Sequence, residues 1–206
     1  MSATPAEQLA HLEAIEPRIG ALASRVGLPP KRRPAPVASR FDLLATAILH
    51  QQLAGAAARA ICSRVTAVAG GPLTAEVVAQ LDEEEIRACG VSGAKWASLA
   101  DLADACRTGR VQLASMGRLS DEVVIDQLVT VRGIGRWTAQ MFLMSGLGRL
   151  DVWPSGDFGV RAGWGALTAT AMVTPKVLEG VGDPFRPYRS ALAWYCWQAA
   201  GEAKGA

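Results

Sequence analysis

The stretch LVTVRGIGRWTAQMFLM at residues 128–144 decides the fold. Apolar residues recur there at helical spacing on both sides of VRGIG (131–135), which predicts two amphipathic helices joined by a tight turn. Glycine adopts positive φ without a steric penalty, so Gly133 and Gly135 suit such a turn. Ile134, between the two glycines, is expected to point inward and fix the hairpin.

The backbone of this turn offers hydrogen-bond donors at the start of the second helix. N–H groups left uncovered beside glycine, together with the positive end of the helix dipole, attract a phosphate. The alternative is an ordinary helix connector that binds nothing. The G-x-G spacing by itself does not decide between these two interpretations.

The rest of the chain also has the pattern of helices. Residues that favour helix starts occur at Thr4, Ser39, Thr74, Asp82, Ser92, Ser120, Asp157, Thr174 and Arg186-Pro187. Pro17 divides the first apolar run, and Gly201 is expected to end the last helix. Because no convincing strand alternation occurs, we predict an all-α fold in one domain over residues 1–206, with a linker-like stretch at 27–40.

Composition excludes several classes of protein. The 206 residues are 50% hydrophobic with a formal net charge of +2, which excludes a disordered chain. The sequence has no apolar run of about 18 residues that could cross a membrane, and its N-terminus lacks the pattern of a secretory signal. We expect a cytoplasmic protein. A charge of +2 gives little indication of a nucleic-acid partner.

The cysteines argue against a metal centre. Cys62, Cys89, Cys106 and Cys196 are far apart in the sequence. Zinc sites and iron–sulfur clusters usually have closely spaced cysteine pairs, and none occurs here. Reduced thiols and no iron–sulfur cluster are therefore expected.

A second informative stretch is DVWPSGDFGVRAGW at residues 151–164. Asp157 stands late in a loop rich in proline and glycine, directly before a helix expected from Phe158. The simple interpretation is an N-cap carboxylate. The functional alternative is a carboxylate that faces a cleft between helices. Asp151, the other carboxylate of the stretch, is expected to order the loop.

These motifs resemble the helix–hairpin–helix (HhH-GPD) DNA glycosylase superfamily, and within it the 3-methyladenine DNA glycosylase II branch, which acts on alkylated bases. The supporting segments follow one another in the family's order: AILHQQLAGAAARAI (47–61), GVSGAKWASLADLA (90–103), GIGRWTA (133–139), the 151–164 loop and PYRSALAWYCW (187–197). The resemblance covers about residues 40–200. It implies two helical lobes with a cleft between them. Relatives often carry an N-terminal β-domain, and the helical pattern before residue 40 indicates none here.

The resemblance implies how the hairpin and a nearby loop contact DNA. Phosphate would be bound by four residues at the hairpin, Gly133, Gly135, Arg136 and Thr138. The carbonyls of Val129, Val131 and Ile134 would hold a structural Na⁺ or K⁺, with no other cofactor required. A side chain would fill the gap left by a flipped base, with Gln52 as first choice and Gln51 as second; the alternative is that both glutamines are an exposed helix end. Whether His50 contacts DNA stays open.

The resemblance also implies the chemistry. Asp157 would be the catalytic carboxylate. The base pocket would use Trp137, Trp153, Phe158, Trp194, Trp197 and Met141, since indole faces attract a cationic alkylated purine; the alternative is that the aromatic residues are core. Relatives that cut the DNA strand carry a lysine where this chain has Trp137, and an indole cannot form a Schiff base.

We therefore expect a monomeric, monofunctional glycosylase that flips alkylated purines, chiefly 3-methyladenine and 7-methylguanine, out of double-stranded DNA. Hydrolysis would leave an abasic site for base excision repair. Two alternatives stay open at this point. One is a glycosylase of the same family for deaminated or oxidised bases. The other is a catalytically silent helix–hairpin–helix module that only binds DNA.

Overall fold

The computed structural model describes residues 3–205, and within that range all regular secondary structure is helical. The first six α-helices are α1 Pro5–Ile15, α2 Arg18–Val26, α3 Arg40–His50, α4 Gly55–Val68, α5 Ala75–Val78 and α6 Glu83–Ala88. The next six are α7 Gly93–Arg107, α8 Asp121–Leu128, α9 Arg136–Ser145, α10 Phe158–Thr168, α11 Pro175–Val181 and α12 Arg189–Gly205. Short 3₁₀ turns occupy Val37–Ser39, Met116–Arg118 and Asp183–Phe185. The prediction of an all-α fold is confirmed.

Side-chain caps fix six of the twelve α-helix starts in the described residues. A side-chain oxygen accepts a backbone N–H of the first turn at Thr4, Thr74, Asp82, Ser92, Asp157 and Thr174. At Thr4 the bond is reciprocal, because the carboxylate of Glu7 accepts the Thr4 N–H at 2.7 Å. These six starts agree with the sequence prediction because capping is a local interaction within four residues.

Two helix boundaries, and with one of them the extent of the linker, differ from the prediction. Ser39 lies in a 3₁₀ turn and makes no cap, so α3 continues directly from that turn. The linker-like stretch is correspondingly shorter than 27–40: residues 27–36 have no regular structure, and Arg40 already belongs to α3. Gly201 was expected to end α12, but the helix runs on to Gly205. An exposed helical glycine costs only about 1 kcal/mol relative to alanine, which a long, well-packed helix tolerates.

The chain divides into two compact units. Unit 1 comprises Met1–Arg33 and Gly148–Ala206, and unit 2 comprises Pro34–Leu147. The cleft that the family resemblance implies stays a prediction. No helix in the described part of the chain is long and apolar enough to span a membrane.

Unit 1 is built on the close packing of α10 against α12. A Cβ atom on Gly163 of α10 would overlap the backbone carbonyl of Cys196 in α12. Leu192 and Tyr195 of α12 are fully buried, as is Leu12 of α1. A glycine at the crossing therefore sets how closely the two helices approach.

Unit 2 carries the hairpin on α8 and α9. Its core contains apolar side chains from several helices, among them Leu44, Ile48, Leu99, Leu102, Leu128 and Leu143. Each of these side chains is fully buried or nearly so, and they fix α3, α7, α8 and α9 as one packed group. The hairpin is consequently mounted on a rigid base.

Replacing Gly163 with alanine is expected to destabilise unit 1, because the added methyl group meets backbone that cannot rotate away. Overpacking of this kind costs about 1–3 kcal/mol, which corresponds to a melting temperature lower by several degrees in a chain of this size. Gly180→Ala is the matched control, since a Cβ there meets nothing within 4 Å. Thermal unfolding by circular dichroism measures both. Equal melting temperatures for the two variants would contradict the packing argument.

Candidate functional site

The hairpin turn is closed by two backbone hydrogen bonds. The Val131 N–H donates to the Leu128 carbonyl and the Ile134 N–H donates to the Val131 carbonyl, each at 3.1 Å. Gly133 has a φ of 77°, in the left-handed region where a residue with a side chain is strained. Ile134 is buried, as the sequence predicted, so its side chain anchors the turn in unit 2.

Gly135 differs from Gly133. Its φ is −91° and its ψ is 171°, an extended conformation open to any residue, so the expectation of positive φ at both glycines is wrong here. A Cβ on Gly135 would meet nothing within 4 Å. Neither the backbone nor internal packing demands a glycine at this N-cap of α9, whereas close approach of a ligand to the backbone would.

The two glycines leave donors exposed at the start of α9. Across residues 3–205, the N–H groups of Gly133 and Gly135 have no protein acceptor. Unsatisfied N–H groups beside a helix N-terminus form an anion site, because donors and helix dipole act together. These donors fit an anion such as a phosphate, and phosphate binding by the turn stays a prediction.

An ion pair braces the other side of the turn. The carboxylate of Asp101 in α7 accepts the Arg132 N–H at 2.6 Å and the Arg110 guanidinium at 2.6 Å. Arg110 also donates to the Thr130 carbonyl at 3.0 Å. The Arg110 hydrogen bond, followed by the Arg132 N–H, holds the pKa of Asp101 below its usual range. Sequence reasoning missed this brace, because nothing local connects α7 to a turn about thirty positions later.

Both glutamines of the predicted plug lie between α3 and α4, but their surroundings differ. The Gln51 side-chain amide donates to the Gly133 carbonyl at 2.8 Å. Gln52 is exposed and has a φ of 56°, uncommon for a residue with a side chain. The structure therefore commits Gln51 to the hairpin and presents Gln52 to solvent.

A cavity of about 510 Å³ in unit 2 brings three groups of predicted residues together. Its lining residues are Ala47, His50, Gln51, Gln52, Gly133, Gly135, Trp137, Thr138 and Met141. Trp137 is 50% exposed, so its indole offers apolar surface to a ligand in this cavity. The loop after α3, the hairpin and the first turns of α9 thus share one surface.

The other predicted phosphate contacts are less simple. Arg136 donates to both carboxylate oxygens of Glu122, at 2.8 and 3.0 Å. Thr138 is buried and lines the cavity. Phosphate binding by Arg136 would require it to exchange at least part of this exposed ion pair, which such pairs do readily.

The predicted cation ligands can be tested on their hydrogen bonds. The Val131 carbonyl accepts the Ile134 N–H, while the Val129 and Ile134 carbonyls accept no hydrogen bond from the described residues. Backbone carbonyl oxygens suit a hard cation. The donor set therefore fits a Na⁺ or K⁺ ion. Among the same residues, no group of three His, Cys, Asp or Glu side chains could hold a metal.

In unit 1, Asp157 caps α10 as predicted. Its Oδ1 atom accepts the Val160 N–H at 2.7 Å and the indole N–H of Trp197 at 2.9 Å. Gly159 makes room for this arrangement, because a Cβ there would come within 2.9 Å of the Trp197 ring and 3.1 Å of Oδ1. One helix N-terminus and one indole thus fix the orientation of the carboxylate.

The carboxylate of Asp151 is bound by two arginine side chains. The Arg189 guanidinium donates to both Asp151 carboxylate oxygens, at 2.7 and 2.9 Å, and Arg186 donates at 2.9 Å. Ser190 ties down the same loop, accepting the Val152 N–H and donating to the Arg149 carbonyl. This is the arrangement expected of a residue that orders the loop.

The remaining aromatic residues divide by exposure. Trp153 is buried and its indole N–H donates to the Leu178 carbonyl at 2.8 Å, so it is a packing residue, and its position does not support a role in the base pocket. Phe158 follows Asp157 directly and is 59% exposed. Trp194 is half-buried with its ring edge-on to Tyr195. Trp197 is held by its bond to Asp157, a contact the sequence does not reveal.

Comparison with known proteins places this site in a family. Residues 45–179 match the model of the HhH-GPD superfamily of base excision DNA repair proteins. The match takes in the 51–54 loop, the hairpin and Asp157. The chain therefore belongs to the HhH-GPD superfamily.

Similar proteins include several glycosylases. The DNA-3-methyladenine glycosylase 1 of Schizosaccharomyces pombe is 34% identical over 195 residues, covering 92% of this chain and 85% of that protein. A crystal structure of a Bacillus halodurans DNA-3-methyladenine glycosidase matches with a TM-score of 0.83 at 30% identity, over 96% of this chain and 91% of that one. The Schizosaccharomyces pombe 3-methyladenine DNA glycosylase, solved in complex with abasic DNA, matches with a TM-score of 0.81 at 32% identity, over 93% and 95%.

Replacing Asp101 with asparagine is expected to destabilise the chain by about 1–2 kcal/mol at pH 7, because a charge-assisted hydrogen bond is lost. Since the folded-state pKa of Asp101 is lowered, its stabilisation is full above the ordinary aspartate pKa of about 4 and disappears as pH falls through the lowered value. The gap between wild type and variant should therefore close in acid. Urea unfolding at several pH values measures it.

Asp104→Asn is the control for that measurement. Asp104 is exposed and contacts Arg110 only at 3.5 Å, so its loss should change the free energy of unfolding little. A gap for Asp101→Asn that stayed constant from neutral to acid pH would contradict the role of the ionised carboxylate.

Proposed function

We propose that this chain is a monofunctional DNA glycosylase that excises alkylated purines, chiefly 3-methyladenine and 7-methylguanine, from double-stranded DNA. Hydrolysis of the N-glycosidic bond would leave an abasic site for base excision repair, with the protein acting as a monomer. The observation that carries the proposal is the Asp157 carboxylate, fixed by the Val160 and Trp197 N–H groups in a chain that also has a phosphate-binding hairpin. The names of the similar proteins support the substrate class.

The hairpin would anchor the enzyme on DNA. The N–H groups of Gly133 and Gly135 would bind one phosphate, and such a contact reads no sequence, which suits an enzyme that searches any DNA. The carbonyls of Val129, Val131 and Ile134 would hold a Na⁺ or K⁺ ion. That ion would add positive charge beside the phosphate.

A base inside a duplex cannot be reached, so the nucleotide has to be flipped out of the stack. The exposed Gln52, at the tip of the 51–54 loop, would fill the gap. Its amide both donates and accepts hydrogen bonds, so it would satisfy the orphaned partner base. Because Gln51 is already bound to the Gly133 carbonyl, Gln52 is the better candidate of the two.

Asp157 would supply the electrostatic catalysis. As the glycosidic bond breaks, positive charge develops on the sugar, and a carboxylate already fixed in orientation stabilises it without reorganisation. The same carboxylate would orient the attacking water. Alkylation at a ring nitrogen makes the purine a cation and therefore a good leaving group. This chemistry needs no strong general acid beside Asp157.

Selection of a cationic base would use exposed aromatic faces. Trp137 in unit 2 is 50% exposed, and Phe158 in unit 1 is 59% exposed. An aromatic face attracts a cation by about 0.5–2 kcal/mol, depending on how far water is excluded. A neutral base would not gain this attraction, so the aromatic faces would favour cationic, alkylated bases.

Asp157→Asn is expected to slow base release by about 10²–10³-fold, because the variant keeps the shape of the side chain and loses its charge. The measurement is single-turnover release of 7-methylguanine from methylated duplex DNA. Affinity for an abasic-analogue duplex should stay within about threefold, since the anchoring groups lie on the hairpin. Asp104→Asn, on the exposed face of α7, is the control and should release base at the wild-type rate.

The outcomes separate the open alternatives. An asparagine variant as fast as wild type would remove Asp157 from the mechanism. Wild-type protein that binds DNA but releases no methylated base would indicate the silent binding module. Release only from DNA with deaminated or oxidised bases would replace the substrate class.

No covalent intermediate is expected during excision. Position 137, directly after the hairpin, is an indole and has no amine to form a Schiff base. Sodium borohydride added during turnover should therefore trap no protein–DNA adduct, while a lysine-bearing glycosylase treated in parallel should be trapped. A trapped adduct of this chain would show strand-cutting chemistry and refute the monofunctional assignment.

A further inference from the structure

Helix α7 carries three side chains, spaced by three residues, that lie against the end of α3 or against the hairpin. Lys95 donates from Nζ to the Leu49 carbonyl at 2.6 Å, at the C-terminal end of α3. Ser98 lies so close to the hairpin that a Cβ on Gly133 would overlap its hydroxyl. Asp101 accepts the Arg132 N–H at 2.6 Å. Because residues three apart lie on the same side of a helix, α7 positions both the end of α3 and the hairpin.

The 51–54 loop itself is held weakly by its own backbone. The Gln51 N–H donates to the Ile48 carbonyl and the Leu53 N–H to the His50 carbonyl, both at 3.3 Å, near the long end for such bonds. Between them, Gln52 adopts a left-handed φ of 56°. A residue with a side chain keeps that conformation only where its surroundings enforce it. The loop therefore needs an additional anchor.

The side chain of Gln51 provides that anchor, 82 positions away in the sequence. Its 2.8 Å hydrogen bond to the Gly133 carbonyl is shorter than either backbone bond of the loop. Along the chain, this carbonyl lies between the N–H groups of Gly133 and Gly135. Gln51 thus ties the residue that precedes Gln52 to the carbonyl that lies between the two candidate phosphate donors.

We propose that Gln51 is a positioning residue that couples capture of a phosphate by the hairpin to insertion of Gln52 into the duplex. The inference rests on the proposed DNA contacts of these two elements. Gln51 itself touches no base. It fixes the distance between the phosphate anchor and the plug, so that a bound phosphate places Gln52 opposite the gap without a further search.

The test is a double-mutant cycle between positions 51 and 52, measured without any base excision. The DNA is a duplex with a tetrahydrofuran abasic analogue and 2-aminopurine as the opposite base, whose fluorescence reports contact with the plug. Gln51→Met keeps the length of the side chain and removes the amide donor. Gln51→Met should weaken binding to this duplex by about 3–10-fold, which is the contribution of one hydrogen bond. The change in 2-aminopurine fluorescence on binding should become smaller in parallel.

Coupling predicts that the two substitutions are not additive. Gln52→Ala should cause a loss at least as large as Gln51→Met, and the double variant should lose little more than Gln52→Ala alone. Affinity for undamaged duplex should stay within about twofold in all variants, because the hairpin still binds phosphate. Gln80→Met is the matched control, since Gln80 is exposed and lies in the turn that follows α5.

Several results would overturn the coupling. Losses that multiply in the double variant would make Gln51 an independent contact. An equal loss on undamaged duplex would mean that Gln51 only shapes the hairpin. Wild-type protein that leaves the 2-aminopurine signal unchanged would remove the plug altogether. Should Gln51→Met melt well below wild type, Gln51→Asn, whose shorter amide does not reach Gly133, provides the same comparison.

Failure of the inference is distinguishable from failure of the proposed function. The abasic duplex carries no base to release, so the cycle gives its answer whether or not the protein excises alkylated purines. Non-additive losses with no release from methylated DNA would leave the coupling standing and remove the enzymatic activity. Additive losses with normal base release would remove the coupling and leave the proposed enzymatic activity standing.

Discussion

The orientation of one carboxylate depends on how closely two helices pack. The Asp157 carboxylate accepts hydrogen bonds from a backbone N–H in the first turn of its own helix and from the indole N–H of Trp197 in α12. The indole reaches Asp157 because Gly159 and Gly163 leave no side chains where α12 crosses α10. Core packing and site geometry are thus the same constraint in unit 1. A methyl group added at either glycine alters both.

In unit 2 the hairpin turn has to expose backbone N–H groups and still keep one conformation. The left-handed Gly133 and the buried Ile134 define the turn, and Asp101 with Arg110 braces it from α7. The donors that would meet a phosphate therefore lie on a turn that Asp101 and Arg110 already hold in place. Such preorganisation lowers the entropy lost on binding.

Local signals in the sequence predict much of the fold and part of the candidate site. The six side-chain caps, the hairpin turn and the N-cap role of Asp157 were predictable, because each depends on residues within a few positions of one another. The family resemblance added the order of the motifs. Contacts between distant residues were not predictable: Gln51 with Gly133, Asp101 with Arg132 and Trp197 with Asp157. Exposure also separated Trp153, which packs in the core, from Phe158, although both stand in the same loop motif.

The pairing of the arginines has a consequence for the way ionic strength acts on this protein. Arg110, Arg136 and Arg189 each bind a carboxylate within the chain, so these three positive charges are already compensated. Uncharged N–H donors that bind a phosphate displace few of the counterions condensed on DNA. Because the salt dependence of DNA affinity follows the number of counterions released, binding through this turn should weaken only gradually as salt concentration rises.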